Sequence, residues 1–388
     1  MRATRPQRFK VLIVGAGVAG LEAAVALREL AGELVAITLL APGPEFVYRP
    51  LRVLEPYAHT AARHYPLDQI AVDLSVRLKP DAFRWLEAGR RLVHTEGGDT
   101  IGYDALLLAP GACPRARFEH ALTLDDAHLD EQLHGLNEAV AAGSAHKLAF
   151  VIPAPMAWPL PIYELALMTA RRPRDMDGDT SVTLVTAEDA PLAIFGTEGS
   201  SAVGALLQAH GILVITSARC EIPAPGRVSI HPGERRLHVD RVVALPELVG
   251  PHTPGVPRAH PGGFIPVDAH GRVRGLERVY AAGDATDFAV KHGGIAAQQA
   301  DVAAEAIAAL AGAPVEPREF DPVLQAMLLG GEEPLYLSAR ISGSQASATP
   351  TGDTPPSSPP GKVAAKYLAP FLESRRAAGA VGSGAARS

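Results

Sequence analysis

Gly15, Gly17 and Gly20 stand in a Gly-x-Gly-x-x-Gly spacing, with Ala16, Val18 and Ala19 between them. Where a strand hands over to a helix, this spacing suits a pyrophosphate. The first glycine allows a tight turn, the second lets backbone N–H groups come close, and the helix N-terminus adds partial positive charge. Ala24, one turn further on, is small enough for the helix to lie close against the strand. The usual partner of such a turn is missing: Leu40-Ala41-Pro42 stands where an Asp or Glu would accept ribose hydroxyls. Backbone groups, or Glu45 if its loop folds back, are left for that role. Cys113 and Cys220 are too far apart for a CxxC pair and read as packed small residues rather than redox centres. His252, His260 and His270 lie in Gly/Pro loops without the spacing of metal ligands, so no metal site is expected.

These residues need a scaffold, and the hydrophobic pattern offers alternating strands and helices, the mark of parallel βαβ units. Residues 10–14 and 35–40 read as strands around an Ala-rich helix at 21–30. A second unit has strands at 148–152 and 181–185 around a helix at 162–170. A strand at 278–282 then leads through Gly283-Asp284 into a long Ala-rich helix from about 294 to 310. Beyond Ala313 come a β-like tail at 320–337 and a Ser/Pro/Thr/Gly-rich stretch at 342–361. That stretch is too poor in apolar residues to offset the entropy of ordering, and reads as a flexible loop. Residues 362–376 read as helical with an interruption at Pro370; Val363, Tyr367, Phe371 and Leu372 would dock them on the protein itself rather than on a membrane.

The bulk properties exclude some classes. With 47% hydrophobic and 20% charged residues the chain has material for a folded α/β protein, and a net charge of −6 leaves no extended basic face for nucleic acid. No stretch approaches the roughly 18 to 20 apolar residues of a spanning helix, and the basic start Met1 to Lys10 lacks the apolar run of a signal peptide. The reading is cytoplasmic, with peripheral membrane contact left open.

Two further segments carry a family resemblance: Tyr103-Asp104-Ala105-Leu106-Leu107-Leu108-Ala109-Pro110-Gly111-Ala112 and Val279-Tyr280-Ala281-Ala282-Gly283-Asp284-Ala285. They resemble the two later fingerprints of the FAD-dependent pyridine nucleotide-disulfide oxidoreductase superfamily. The resemblance covers nearly the whole chain and is nearest the sulfide:quinone reductase and type II NADH dehydrogenase branch. It implies FAD as cofactor, with Ala109, Pro110 and Gly111 crossing beside it and Gly283 and Asp284 at its ribitol or pyrophosphate side. It also implies that the helix starting after Lys291-His292, with Gly294 and Ile295, points its N-terminus at the flavin pyrimidine. There the helix end and Lys291 would stabilise negative charge gathered on reduction. Phe46-Val47-Tyr48-Arg49-Pro50-Leu51 resembles a loop beside the isoalloxazine in that branch, which makes Arg49 and Pro50 flavin neighbours.

The chain departs from the pattern where electrons would enter. Disulfide reductases carry a CxxC next to the flavin, and sulfide:quinone reductases carry cysteines in the second domain and near the C-terminus; neither arrangement is present. The turn of the second unit, Pro153 to Pro161, has no glycine, and prolines remove N–H donors, which argues against the usual dinucleotide mode there while leaving NAD(P)H open. This run resembles the Pro-rich loop before Tyr-Glu in sulfide:quinone reductases and flavocytochrome c sulfide dehydrogenases, and continues here into Tyr163-Glu164, with Trp158 about where their cysteine would be. Trp158 would stack on a flat substrate or the flavin, or serve as a rigid plug. Glu188 reads as a solvated surface residue, with a ribose contact as the alternative. Gly294 and Gln298 fall where the type II dehydrogenases have a pair of Gln, which leaves quinone reduction open.

The expectation is an α/β protein of two Rossmann-like FAD/NAD(P)-binding domains, the FAD domain discontinuous (1–125 and 246–315), an NAD(P)-binding-like domain at 126–245 and a small C-terminal region at 316–388. Its expected function is electron transfer between a small-molecule donor and an acceptor, NAD(P), quinone or oxygen, through bound flavin, with Lys291 and Trp158 as the candidate catalytic residues. The alternative is a non-catalytic FAD-binding redox sensor or scaffold. No nucleic acid is expected, and a homodimer is compatible with the reading.

Overall fold

The computed structural model describes residues 8–48, 63–124, 134–136, 138–140, 145–153, 158–175, 180–259, 262–342, 345–352 and 362–385. In chain order the principal elements are β1 (Phe9–Val14), α1 (Val18–Ala31), β2 (Val35–Leu40), β3 (Arg77–Lys79), β4 (Ala105–Leu108), β5 (Lys147–Val151), α2 (Leu160–Asp175), β6 (Ser181–Val185), β7 (Leu213–Ile215), β8 (Arg241–Ala244), β9 (Val279–Ala281), α3 (Gly293–Leu310), β10 (Val323–Leu328), β11 (Leu335–Ser342), β12 (Gln345–Gly352) and α4 (Leu368–Ala385).

Two parallel sheets form the frame. The first runs in the order β9-β4-β1-β2-β3, so a strand near residue 280 joins a sheet begun at residue 9. The second runs Leu122–Thr123, β8, β5, β6, β7, also parallel throughout. Strands covered on both faces should be apolar without alternation; the Ala-Leu-Leu-Leu of β4 is buried at every residue. Between the first sheet's helices the contact is made of small side chains. Ala23 and Ala26 of α1 and Ala296, Ala300, Ala303 and Ala304 of α3 share one buried cluster, so the two helices lie close together against the strands.

Two expectations for the C-terminal region are corrected. The stretch read as a flexible loop at 342–361 contains β12, which pairs antiparallel with β11 and so completes a three-stranded sheet with β10. Ladder hydrogen bonds satisfy a backbone whose side chains offered little apolar surface; residues 353–361 lie outside the described residues. The helix read at 362–376 begins at Leu368, and Pro370 sits in its first turn rather than interrupting it. A proline is accommodated there because first-turn N–H groups have no intrahelical partner. Leu368 and Leu372 are buried in the same cluster as α1, so this segment docks on its own protein.

The start of α4 is held by a carboxylate from far away in sequence. Glu22, fully buried in α1, accepts from the backbone N–H of Tyr367 at 2.8 Å and of Leu368 at 2.5 Å. Asp301 of α3 lies against it, and burial followed by the Glu22 charge pushes the Asp301 carboxyl up to about 8. The pair therefore shares a proton, which the two amides bound to Glu22 leave on Asp301. A carboxyl whose folded pKa lies above its unfolded value, about 4, stabilises the fold fully below that lower value and ceases to as pH rises through the higher one. Wild-type stability should fall between about pH 4 and 8 from this source. Asp301→Asn should flatten that slope and be more stable than wild type at pH 9 by of order 2 kcal/mol. Denaturant unfolding at pH 5 and pH 9 measures it, and parallel slopes for the two proteins would refute it.

Candidate active site

The glycine turn between β1 and α1 is built by close approach. Gly15 has φ +99°, and a Cβ placed on it would sit 2.1 Å from the Ala109 carbonyl oxygen. A Cβ on Gly20 would sit 1.9 Å from the Gly15 carbonyl oxygen. These two glycines let the turn close against the end of β4, where Ala109 N–H donates to Val14 O. Gly17 differs, for nothing lies within 4 Å of a Cβ added there. It is also the N-cap of α1 and caps with no side chain. The N-terminus of α1 is thus uncapped by a side chain and open at Gly17, where a helix end's partial positive charge suits an anion.

Beside this turn a cavity of about 960 Å³ opens between the two parallel sheets. Val47, Pro110, Gly111 and Asp284 line it from the first sheet's side; Trp158, Leu160, Pro161 and Glu164 line it from the second. Asp284 follows Gly283, whose φ of +78° turns the chain and whose N–H donates to Gln299 Oε1 at 2.8 Å, so a buried side chain of α3 fixes the Gly-Asp turn. Lys291 and His292 approach from the start of α3. The Lys291 ammonium is buried, donates to Thr286 O at 2.5 Å and lies 4.0 Å over the Phe264 ring. Burial lowers it to about 8, with Asp284 and Asp287 opposing the shift, so it is mostly charged at neutral pH. His292 is lowered to about 4 by burial and by Lys362, and is therefore neutral. Its Nδ1 accepts from Gly294 N–H at 3.2 Å, which assigns the proton to Nε2. Trp158 lies against it with ring centres 4.7 Å apart.

The family model for pyridine nucleotide-disulphide oxidoreductases matches residues 9–151 and 163–306. The chain belongs to that family. It is an FAD-dependent oxidoreductase, and the break in the match falls on 152–162, the Pro-rich turn. Solved structures with a similar fold include the sulfide:quinone oxidoreductase of the hyperthermophilic bacterium Aquifex aeolicus, at TM-score 0.77, with 19% identity over 89% of this chain and 87% of that one. The ferredoxin reductase of the CYP199A2 system from Rhodopseudomonas palustris aligns at TM-score 0.64, with 21% identity over 86% and 83%. NDH2 from Plasmodium falciparum aligns at TM-score 0.60, with 13% identity over 74% and 65%.

In this oxidoreductase Pro110, Gly111, Asp284, Lys291 and Trp158 come together on one cavity. Ala16, Val18 and Ala19 belong to the glycine turn at its side, and Ala109, Gly283, Gly294 and Ile295 form the buried backbone behind the lining. Arg49, Pro50 and His260 lie outside the described residues. Glu45 pairs with His64 at 2.8 Å, which commits the carboxylate suggested for ribose.

The readings of Cys113, Glu188 and Gln298 change, and that of Cys220 does not. Cys113 is exposed, on a two-stranded ladder, whereas its neighbours Ala112 and Pro114 line the cavity and it does not. Cys220 is half-buried, and burial pushes its thiol up to about 12, which leaves it protonated and inert. Glu188 is not a solvated surface residue: Tyr163 Oη donates to it at 2.6 Å and Thr186 Oγ1 at 2.9 Å, and burial raises its carboxyl. Gln298 is spent within the protein, with Nε2 on Gly294 O and Val323 O and Oε1 accepting from Val323 N–H, so it clamps α3 to β10. Among the described residues no group of His, Cys, Asp or Glu could hold a metal, and no helix is long and apolar enough to cross a membrane.

Sequence reasoning missed one pair. Glu164, fully buried on α2, meets the buried Lys362 ammonium at 2.6 Å and also accepts from Leu329 N–H at 2.9 Å. Both line the cavity. The signal was a carboxylate in the apolar run Ile162-Tyr163-Glu164-Leu165-Ala166-Leu167, which cannot be buried without a cation.

Proposed function

We propose that the glycine turn Gly15–Gly20 and Asp284 hold FAD from two sides, and that a small-molecule donor and an acceptor exchange electrons with it in the cavity between the sheets. The observation that carries this reading is the cavity itself. One wall carries Pro110, Gly111 and Asp284 and the other carries Trp158 and Glu164, so a cofactor on the first wall faces a substrate on the second. The residues present suit the cofactor: a helix N-terminus with no side-chain cap at Gly17 for a pyrophosphate, and a carboxylate at Asp284 for a sugar hydroxyl.

Bound FAD supplies the two-electron chemistry. The protein holds and polarises. Lys291, fixed by Thr286 O, presents a buried positive charge where the first turn of α3 adds its own partial charge, and both stabilise negative charge built up beside them. His292 offers an Nε2–H donor that stays neutral through the physiological range. Trp158 gives a flat apolar face against which a planar substrate can stack. The donor step does not use a protein thiol, because Cys113 does not line the cavity and Cys220 is held protonated. NAD(P)H in the usual mode is disfavoured, since the turn at 153–161 lacks glycine and Glu188 is already bonded to Tyr163 and Thr186.

Purified protein should absorb near 450 nm, as isolated or after incubation with FAD, and one of NADH, NADPH, sulfide or a reduced quinone should bleach it anaerobically. A protein that takes up no flavin refutes the cofactor assignment. Flavin bound but reduced by no donor refutes the catalytic reading and leaves a sensor or scaffold.

A further inference from the structure

We propose that the basic groove at the other end of the first sheet binds a small polyanion carrying two or more phosphate groups. The groove has a volume of about 610 Å³ and opens at the start of β1, β2 and β3, with Arg28 of α1 on one side and the strand Thr100–Gly102 on the other. Alternation along the strands sets its chemistry. Arg8, Lys10 and Leu12 at β1 point to this face, and the register pairs Lys10 with Ala36, Leu12 with Thr38 and Thr38 with Arg77. Lys10 and Arg77 are therefore two strands and two residues apart, roughly 12 Å between Cα atoms. Their long side chains can converge on one elongated anion.

The charge count is lopsided. Arg8, Lys10, Arg28, Arg77 and Lys79 line the groove against Asp99 alone, in a chain of net charge −6. Three of the five cations are committed. Arg8 pairs with Glu33 and Lys79 with Asp99. Arg28 forms a rigid floor, donating to Gly32 O at 2.7 Å, Leu74 O at 2.9 Å and Ser75 O at 3.1 Å. Lys10 and Arg77 have no side-chain hydrogen bond or ion pair among the described residues. Arg28 titrates lower than usual, through burial first and the nearby Arg8 second. Lys10 and Arg77 are left without such a structural commitment. A multivalent anion would relieve the repulsion and take bidentate contacts from Arg77. Hydroxyls at Thr38 and Thr100 add neutral donors.

The small volume of the groove and the net negative charge of the rest of the chain favour a small ligand over a nucleic acid. The site is also separate from the glycine turn. Lys10 and Gly15 are at opposite ends of β1, about 17 Å apart along the strand, so the two can be filled together, and the inference does not depend on the flavin reading.

The test is isothermal titration of the protein, as isolated and after FAD saturation, with inorganic tripolyphosphate and with ATP in low salt. Saturable one-to-one binding is expected with both preparations. Lys10→Gln/Arg77→Gln, two exposed changes, should weaken it at least tenfold while the thermal midpoint and flavin content stay at wild-type values. ATP binding at least tenfold tighter than tripolyphosphate would identify a nucleotide ligand recognised through the groove's apolar lining at Ile101; equal affinities would identify the phosphate chain alone. Absence of saturable binding, binding unchanged in the double variant, or binding abolished by FAD would overturn the proposal.

Discussion

Gly17→Ala should fold normally and lose its flavin. Gly17 has an extended backbone, φ −80° and ψ −169°, that alanine adopts without strain, and its added Cβ would meet no protein atom within 4 Å. The cost to the fold is that of a poorer N-cap, about 1 kcal/mol or less. That methyl group projects into the space the pyrophosphate must enter to reach the first amides of α1. FAD affinity should drop at least a hundredfold, read as lost absorbance near 450 nm in a protein whose circular dichroism and thermal midpoint are near normal. Gly20→Ala should fail in another way. Its Cβ would collide with Gly15 O at 1.9 Å, so the turn itself must open and both flavin content and stability fall. If Gly17→Ala kept its full flavin complement, the turn would not be where the cofactor binds.

Lys362→Met should destabilise the protein by about 3 to 5 kcal/mol, the cost of leaving one partner of a buried ion pair alone. Glu164 would keep its Leu329 amide at 2.9 Å but lose the cation that opposes its burial, and would take up a proton instead. The double variant Glu164→Leu/Lys362→Met replaces the pair with apolar groups of similar volume and should recover most of the loss. Urea unfolding of the three proteins measures this. A single variant as stable as wild type would mean that the pair contributes nothing, and a double variant no better than the single would locate the damage in packing rather than charge.

Much of this was legible in the sequence where the determinants are local. β2 and β6 have the bounds the sequence suggested, Val35–Leu40 and Ser181–Val185, because each is a short segment rich in β-branched residues, Val35, Ile37 and Thr38 in one and Val182, Thr183 and Val185 in the other. The glycine turn and Gly283-Asp284 were visible because backbone geometry there needs particular residues. What escaped was held together at a distance. The first turn of α4 is capped by Glu22, some 345 residues away, so nothing in its own neighbourhood marks Leu368 as a helix start. β12 is ordered by its partner β11 rather than by its own composition. Glu188 looked like a surface carboxylate because its partner Tyr163 precedes it by 25 residues on a different element. His292 was passed over as part of a motif, although it caps α3 and packs at a tilt against Trp158.

The position of β9 at the edge of the first sheet has a consequence for biosynthesis. The chain leaves that sheet after β4 at Leu108 and does not supply β9 until Val279, nor α3, the cover for the alanine face of α1, until Gly293. At about 5 to 20 residues per second, the ribosome takes roughly 10 to 40 s over that interval. Throughout it, the free edge of β4 and the bare flank of α1 are exposed on the nascent polypeptide. Ribosome pausing inside 109–278 should therefore lower the yield of folded protein more than pausing after 310.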